Sequence, residues 1–247
     1  MSLPINQIVQ GDCIEVIQTF PDFSIDCLVV DPPYSSGARR DVEKSTRGKM
    51  LRGEKHKWFS HDNMSTLGFS WFIRHLLIIL KPKLKPNAHC YMFIDWRQYP
   101  TLAGLIESTG YRLNDLIIWD KTHYGLGYHY RNQHELISFF SNGKPREAEC
   151  HNIGNIIQIK NLSSKERVHP TQKPFELIKK LIELSTKKGD LILDPMCGSG
   201  TTCIAANQLN RKYIGIDINP EYVELAKKQI EKHPPPLSHF TNNCEEK

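Results

Sequence analysis

The sequence predicts an α/β fold with a largely parallel sheet, and three observations predict it. Short apolar runs alternate with stretches of helical periodicity along the chain, as in repeated strand–helix–strand units. One apolar run, residues 25–30, stops at Asp31-Pro32-Pro33-Tyr34. Another, residues 191–193, stops at Asp194-Pro195-Met196-Cys197-Gly198-Ser199-Gly200-Thr201-Thr202. Polar and glycine-rich turns at strand ends are where open parallel sheets bind their ligands. A chain of 247 residues suits one domain with a large core. That domain is assigned to residues 1–233, with a tail over 234–247.

Residues 5–9 read as a short strand ending at Gly11-Asp12, and residues 13–20 as a helix. Residues 25–30 are a buried strand, closed by two prolines that cannot donate to a ladder. A basic, helix-poor stretch follows to about residue 60. Residues 69–80 have helical periodicity and stop at Lys81-Pro82. Residues 88–94 form a strand, 101–108 a helix ending at Gly110, and 113–119 and 135–140 two further strands. Residues 142–167 are polar and weakly patterned, and read as a long loop or insertion. A helix over 174–186 has proline in its first turn. The strand at 191–193, a helix to about 209, a strand at 213–216 ending at Asp217 and a helix at 220–232 complete the domain. Pro234-Pro235-Pro236 stops that helix, and the tail is expected to be disordered.

Several classes are excluded early. No apolar run approaches the roughly 18 residues of a membrane span, and the N-terminus lacks a signal core. A cytoplasmic protein is expected. Seven cysteines without a C-x-x-C argue against a zinc ribbon and for reduced, buried thiols; no metal is expected. Residues 38–57 hold eight basic residues, Arg39, Arg40, Lys44, Arg47, Lys49, Arg52, Lys55 and Lys57, against three acids. That segment carries the chain's whole net charge of +5. A basic loop on a neutral body suits a polyanion partner. A solvated charged loop is the plainer alternative.

Two constellations carry chemistry. The strand before Asp194, the turn with Gly198 and Gly200, a helix, a second strand and then Asp217 make a nucleotide-type unit. Glycine lets a ligand approach the backbone. An acid at the next strand end is placed to bind ribose hydroxyls. The dinucleotide fingerprint wants a third glycine where Cys203 stands, and there is no P-loop, so a nucleoside cofactor without pyrophosphate fits best. In the other constellation, the Asp31 carboxylate and the Pro32 carbonyl can each accept a hydrogen bond from an amino group. Pro33 belongs to the same turn, and the Tyr34 ring can stack on a flat base. Read plainly, the tetrapeptide is a turn with Asp31 as a cap.

Asp31-Pro32-Pro33-Tyr34 resembles the catalytic motif of amino DNA methyltransferases. The segment from Asp194 to Thr202 resembles their cofactor glycine loop. His169-Pro170-Thr171-Gln172-Lys173-Pro174 resembles the segment that precedes that loop. Gly11-Asp12 resembles a cofactor-adenine contact. Ile118-Trp119-Asp120-Lys121 through Arg131-x-x-His134-Glu135 resembles a further family block. Catalytic motif first and glycine loop last is the circularly permuted order of the β group, with a Rossmann-like methyltransferase fold. Met196-Cys197 departs from the family's usual Phe and small residue or Met, a packing variation.

The resemblance implies S-adenosylmethionine as cofactor and double-stranded DNA as substrate, with the target base flipped out. Asp12, Cys13, Asp31, Thr171, Lys173, Asp194, Pro195, Gly198, Ser199, Gly200, Thr201 and Asp217 would surround the cofactor. Asp217 would hold its ribose, Asp12 its adenine, and Lys173 or Thr171 its carboxylate. Asp12 also reads as a cap of the helix beginning at Cys13, and Lys173 as a surface charge. Arg39, Arg40, Lys44, Arg47, Lys49 and Arg52 would contact DNA. Residues 142–167 are a second candidate for target recognition. The run from His123 to Arg131 reads as lining the base pocket or packing in the core. His134-Glu135 lacks the flanks of a metal motif and reads as structural.

Carbon-5 cytosine chemistry needs a thiolate, usually in a Pro-Cys pair, which is missing. In the family, Ser often opens the tetrapeptide of cytosine-N4 enzymes and Asn that of enzymes acting on RNA or protein glutamine. Asp31 therefore favours adenine-N6, with cytosine-N4 as the alternative. A catalytically silent DNA-binding module fits the intact motifs less well. Members of the group are often dimers, so a homodimer stands open, as does a cognate restriction endonuclease in a bacterial or phage setting.

Overall fold

The computed structural model of the chain describes residues 2–33, 65–125, 129–149, 151, 153–162 and 172–235. Its strands are β1 Gln7–Gln10, β2 Ile25–Val30, β3 Leu84–Ile94, β4 Arg112–Asp120, β5 His134–Ser141, β6 Ile156–Gln158, β7 Leu191–Asp194 and β8 Lys212–Asp217. Its helices are α1 Cys13–Gln18, α2 Thr66–Lys83, α3 Tyr99–Ser108, α4 Phe175–Ser185, α5 Thr201–Gln208 and α6 Pro220–Lys232. The strands form one sheet in the order β1-β8-β7-β2-β3-β5-β4-β6. Only β5 runs antiparallel to its neighbours.

Period-two alternation sends successive side chains to opposite faces, and both faces are covered. Leu28, Val30, Cys90, Met92, Leu193, Ile214 and Ile216 pack against α1, α2 and α3. Cys27, Val29, Tyr91, Phe93, Ile192 and Tyr213 pack against α4, α5 and α6. This double burial explains why β2 reads as an apolar run, with all six residues buried and the one acid, Asp26, paired with Lys85 at 2.8 Å.

The structure corrects three sequence expectations. Helix α2 does not stop at Lys81-Pro82 but continues to Lys83. A proline in the last turn forfeits one helical hydrogen bond, and the helix end finds other partners. The Pro82 and Lys83 carbonyls accept from the amides of Phe23 and Ser24 at 2.9 Å each. Leu84 N–H closes on the Leu80 carbonyl. Lys83 also pairs with Asp22 at 2.7 Å, near the negative end of the helix dipole. Pro174 is the N-cap of α4, one position before its first turn. Residues 142–167 are not wholly loop. Residues 156–158 form edge strand β6 beside β4, with Ile157 buried, and the Trp119 indole N–H donates to the Ile159 carbonyl at 2.7 Å. Three residues are too few to show a strand period.

Candidate active site

Among the described strands the winding of the sheet reverses between β2 and β7, which opens a crevice at their carboxyl ends. From β2 the chain crosses to β3 by way of α2, on one face. From β7 it crosses to β8 by way of α5, on the other. Ligands of open parallel sheets bind where the winding reverses in this way, beyond the strand carboxyl ends. The parallel register of β2 and β7, Leu28 beside Leu193, brings Asp31 and Asp194 to the same end of the crevice. Strand β8, beside β7, ends there at Asp217, and β1 alongside it pairs Gln10 with Asp217.

The glycine loop is held in place by the sheet. Cys197 N–H donates to the Ile216 carbonyl at 2.9 Å, and Gly200 N–H to the Cys197 carbonyl at 2.8 Å. Gly198 and Gly200 have φ of 50° and 83°, in the left-handed region that glycine enters without strain. Gly200 then opens α5, whose Ile204 N–H bonds back to its carbonyl at 2.9 Å. Asp217 accepts from Gly198 N–H at 2.9 Å through one oxygen and from Asn219 N–H at 2.9 Å through the other. Its backbone carbonyl accepts from Gly11 N–H at 3.0 Å, tying the Gly11-Asp12 turn to the same corner. Asp12 caps α1 by accepting from Ile14 N–H at 2.8 Å. Cys13 is buried, and burial with the nearby Asp12 charge pushes its thiol up to about 12. Pro195, Ser199 and Thr201 are buried in the loop wall.

The crevice is acidic. Burial pushes the Asp194 carboxyl up to about 7, although the Thr202 hydroxyl and Met196 N–H stabilise its ionised form; the charges of Asp31 and Asp217 raise it further. An acid raised by folding keeps its proton in the native state over a pH range where the unfolded chain has released it. Stability should therefore fall as pH rises from about 4 to about 7, then level off. Asp194→Asn should remove this slope. Urea midpoints of the variant and the parent should diverge in the variant's favour across that interval, and parallel curves would count against it.

Charge of the opposite sign enters from α4. Lys173, directly before the N-cap of α4, places Nζ 2.7 Å from Asp31 Oδ2 and 3.2 Å from Glu135 Oε2. Glu135, at the start of β5, accepts from Lys121 Nζ through Oε1 at 2.5 Å. The result is an alternating line, Asp31–Lys173–Glu135–Lys121, with each side chain at least three-quarters covered. Lys173 also lies 5.0 Å from the Phe93 ring centre, and Lys121 5.1 Å from that of Trp119. Burial pushes the Lys173 ammonium down, but Asp31 and Glu135 outweigh it and hold the group above its ordinary value. Burial pushes Glu135 up, but Lys173 and Lys121 outweigh it and keep the group below the usual range.

Asp12, Cys13, Asp31, Asp194, Pro195, Gly198, Ser199, Gly200, Thr201 and Asp217 thus gather around one end of the sheet. Lys173 is no surface charge; two carboxylates hold it. Glu135, read from the sequence as structural, is linked to Asp31 through the Lys173 ammonium. Finding it required the antiparallel pairing of β4 with β5, which sets Trp119 opposite Glu135. Tyr124 and Tyr130 are exposed, so the core reading of the 123–131 run does not hold for them. Arg131 donates to the Gly125 carbonyl at 3.0 Å. Tyr34, Thr171, the loop with Arg39, Arg40, Lys44, Arg47, Lys49 and Arg52, and most of the 234–247 tail lie outside the described residues.

The profile of the DNA methylases, the N6/N4 methyltransferase family, matches residues 25–228, from the first residue of β2 into α6. The chain belongs to the DNA methylase family. The Type II methyltransferase M2.LlaDCHI of Lactococcus lactis subsp. cremoris is 28% identical over 91% of this chain and 89% of its own length. The crystal structure of the M1.HpyAVI-SAM complex superposes with a TM-score of 0.64 at 25% identity, over 90% of this chain and 98% of that one. The cytosine-N4-specific PvuII DNA methyltransferase superposes with a TM-score of 0.71 over 96% of this chain and 86% of its own, at 19% identity, a likeness of fold. This DNA methylase carries Asp31 and Asp194 at the ends of adjacent parallel strands. Among its described residues no helix is long and apolar enough to cross a membrane.

Proposed function

We propose that this DNA methyltransferase transfers a methyl group from S-adenosylmethionine to the N6 amino group of adenine in double-stranded DNA, acting on a flipped base. The observation that carries the reading is the meeting of the Asp31 and Asp194 strand ends in one crevice beside the Gly198–Gly200 turn. The residues suit such a cofactor. Asp194 and Asp217 crowd two carboxylates together beside an Asp31 already paired with Lys173, and a cationic sulfonium relieves their repulsion. Asp217, at the end of β8, faces the ribose in this reading, and Asp12 the adenine ring. The tetrapeptide at residues 31–34 takes the target base.

When bound, S-adenosylmethionine supplies an electrophilic methyl carbon: the nitrogen–carbon bond forms as the carbon–sulfur bond breaks, and that electron pair stays on sulfur. Asp31 and the Pro32 carbonyl accept hydrogen bonds from the amino group. They draw its lone pair out of conjugation as positive charge develops on nitrogen. Holding the amine in line with the methyl supplies much of the remaining acceleration. The surplus amine proton leaves to solvent after transfer, so no strong base is required.

Adenine is favoured over cytosine because Asp, not Ser, opens the tetrapeptide. Incubation with mixed-sequence duplex DNA and S-adenosylmethionine, followed by nucleoside mass spectrometry and methylation-aware sequencing, tests this. N6-methyladenine at a defined sequence is expected. N4-methylcytosine would overturn the base assignment, and unmodified DNA the activity.

The basic loop is assigned to phosphate contacts because its cations directly follow the catalytic motif. Neutralising Arg39, Arg40 and Arg47 together should weaken DNA binding. It should also flatten the slope of log K against log salt by about 0.9 for each phosphate left without its cation. An unchanged slope would remove the assignment. The type II designation of the Lactococcus lactis relative is the ground for proposing a cognate restriction endonuclease; a homodimer rests on the family pattern alone.

A further inference from the structure

We propose that Glu135 and Lys121 are positioning residues that set the hydrogen-bond acceptor strength of Asp31 through the shared ammonium of Lys173. The inference rests on Asp31 being the acceptor of the substrate amine. Neither residue is part of the Asp31 tetrapeptide or the glycine loop. They come from β5 and from the residue after β4, brought to the crevice by strand pairing.

The argument is one of charge division. Lys173 is ion-paired on one side with Asp31 at 2.7 Å and, more loosely, on the other with Glu135 at 3.2 Å. An ammonium shared by two carboxylates polarises each less than one held by a single carboxylate. Asp31 must remain ionised yet keep lone-pair density for the amine, so a fully committed Lys173 would weaken it as an acceptor. Glu135 takes part of that ammonium. Lys121, 2.5 Å from Glu135 on its far side, limits how much Glu135 takes. Groups from several other elements face this line. Asp194, raised chiefly by burial and further by the charges of Asp31 and Asp217, faces Asp31. Lys121 and Lys173 face Glu135. The Phe93 and Trp119 rings face the two lysines.

The division gives opposite signs for the two ends of the line. Glu135→Gln commits Lys173 to Asp31 and leaves Lys121 uncompensated. It should move the acid limb of the kcat/KM profile to lower pH by about one unit and lower plateau kcat about 10-fold. Lys121→Met lets Glu135 draw Lys173 away from Asp31, and should move that limb to higher pH. Glu135→Asp and Lys121→Arg keep the charges and should leave the limb within a few tenths of a unit of the parent position.

The experiment records pH profiles of methyl transfer for the full chain and these four variants. Melting temperature and calorimetric S-adenosylmethionine affinity serve as controls of folding. Opposite shifts in Glu135→Gln and Lys121→Met support the proposal. Shifts of the same sign, or a fixed limb in variants that fold and bind the cofactor, overturn it; an acid limb belonging to Asp194 alone would stay fixed. If Glu135→Gln does not fold, Lys121→Met and Lys121→Arg decide alone. Asp31→Ala separates the two levels. An active Asp31→Ala enzyme refutes the acceptor reading, whereas an inactive one with unmoved limbs refutes only the role of Glu135 and Lys121.

Discussion

Asp31→Ala is expected to lower methyl transfer by about 10³-fold or more, with S-adenosylmethionine affinity within a few-fold of the parent. The residue stands just past the end of β2, on the wall of the crevice opposite Asp194. Its carboxylate is the group placed to accept the substrate amine as charge builds on nitrogen. Removing it leaves Lys173 paired with Glu135, so no buried ammonium loses its last counter-charge and the fold should survive. The glycine loop and Asp217, which hold each other through Gly198 N–H, are untouched. Transfer of labelled methyl to DNA, with calorimetry for the cofactor, reads both halves. A fully active variant would end the proposed mechanism. Lost binding with lost transfer would move Asp31 to the cofactor.

Gly200→Ala is expected to destabilise the protein by roughly 2–3 kcal/mol, combining backbone strain with overpacking. Gly200 sits at φ 83°, and a Cβ there would lie 3.0 Å from Ala226 Cβ and 3.3 Å from Ala226 Cα. Ala226 belongs to α6 and is fully buried, so it has nowhere to go. At roughly 2–4 °C per kcal/mol for a chain of this size, thermal unfolding should begin some 5–10 °C earlier. Because Gly200 also starts α5, the KM for S-adenosylmethionine should rise. A second change, Ala226→Gly, removes the 3.0 Å approach to Cβ but neither the 3.3 Å approach to Cα nor the strain, and its helical glycine carries its own cost, so it should restore little of the stability. A melting temperature unchanged in Gly200→Ala would show that the turn tolerates a side chain, contrary to its geometry.

Strand β2 was legible because burial on both faces leaves five apolar residues among its six, Asp26 being the exception, and two prolines then forbid continuation. Helix α6 was legible to the residue, since Asn219 accepts from Glu221 N–H at 2.9 Å as its cap and Pro220 takes the first helical position. Helix α2 was misjudged at its end because the partners of its last carbonyls, the amides of Phe23 and Ser24, are some sixty residues away in sequence. Strand β6 was missed because a three-residue edge strand leaves no periodicity to read.

The sequence by itself determined the alternation of strands and helices, the two motif-bearing strand ends and the glycine turn between Asp194 and the next helix. Each is a local matter of backbone preference and burial period, expressed within a few residues. Only the tertiary structure decided that Lys173 faces Asp31 rather than solvent, and that Glu135 and Lys121 complete its surroundings. Those four groups come from the residue after β2, the residue before the N-cap of α4, the start of β5 and the residue after β4. Their charges meet because the antiparallel β5 folds back between two parallel strands, a pairing encoded by the packing of the whole sheet and by no one segment of it.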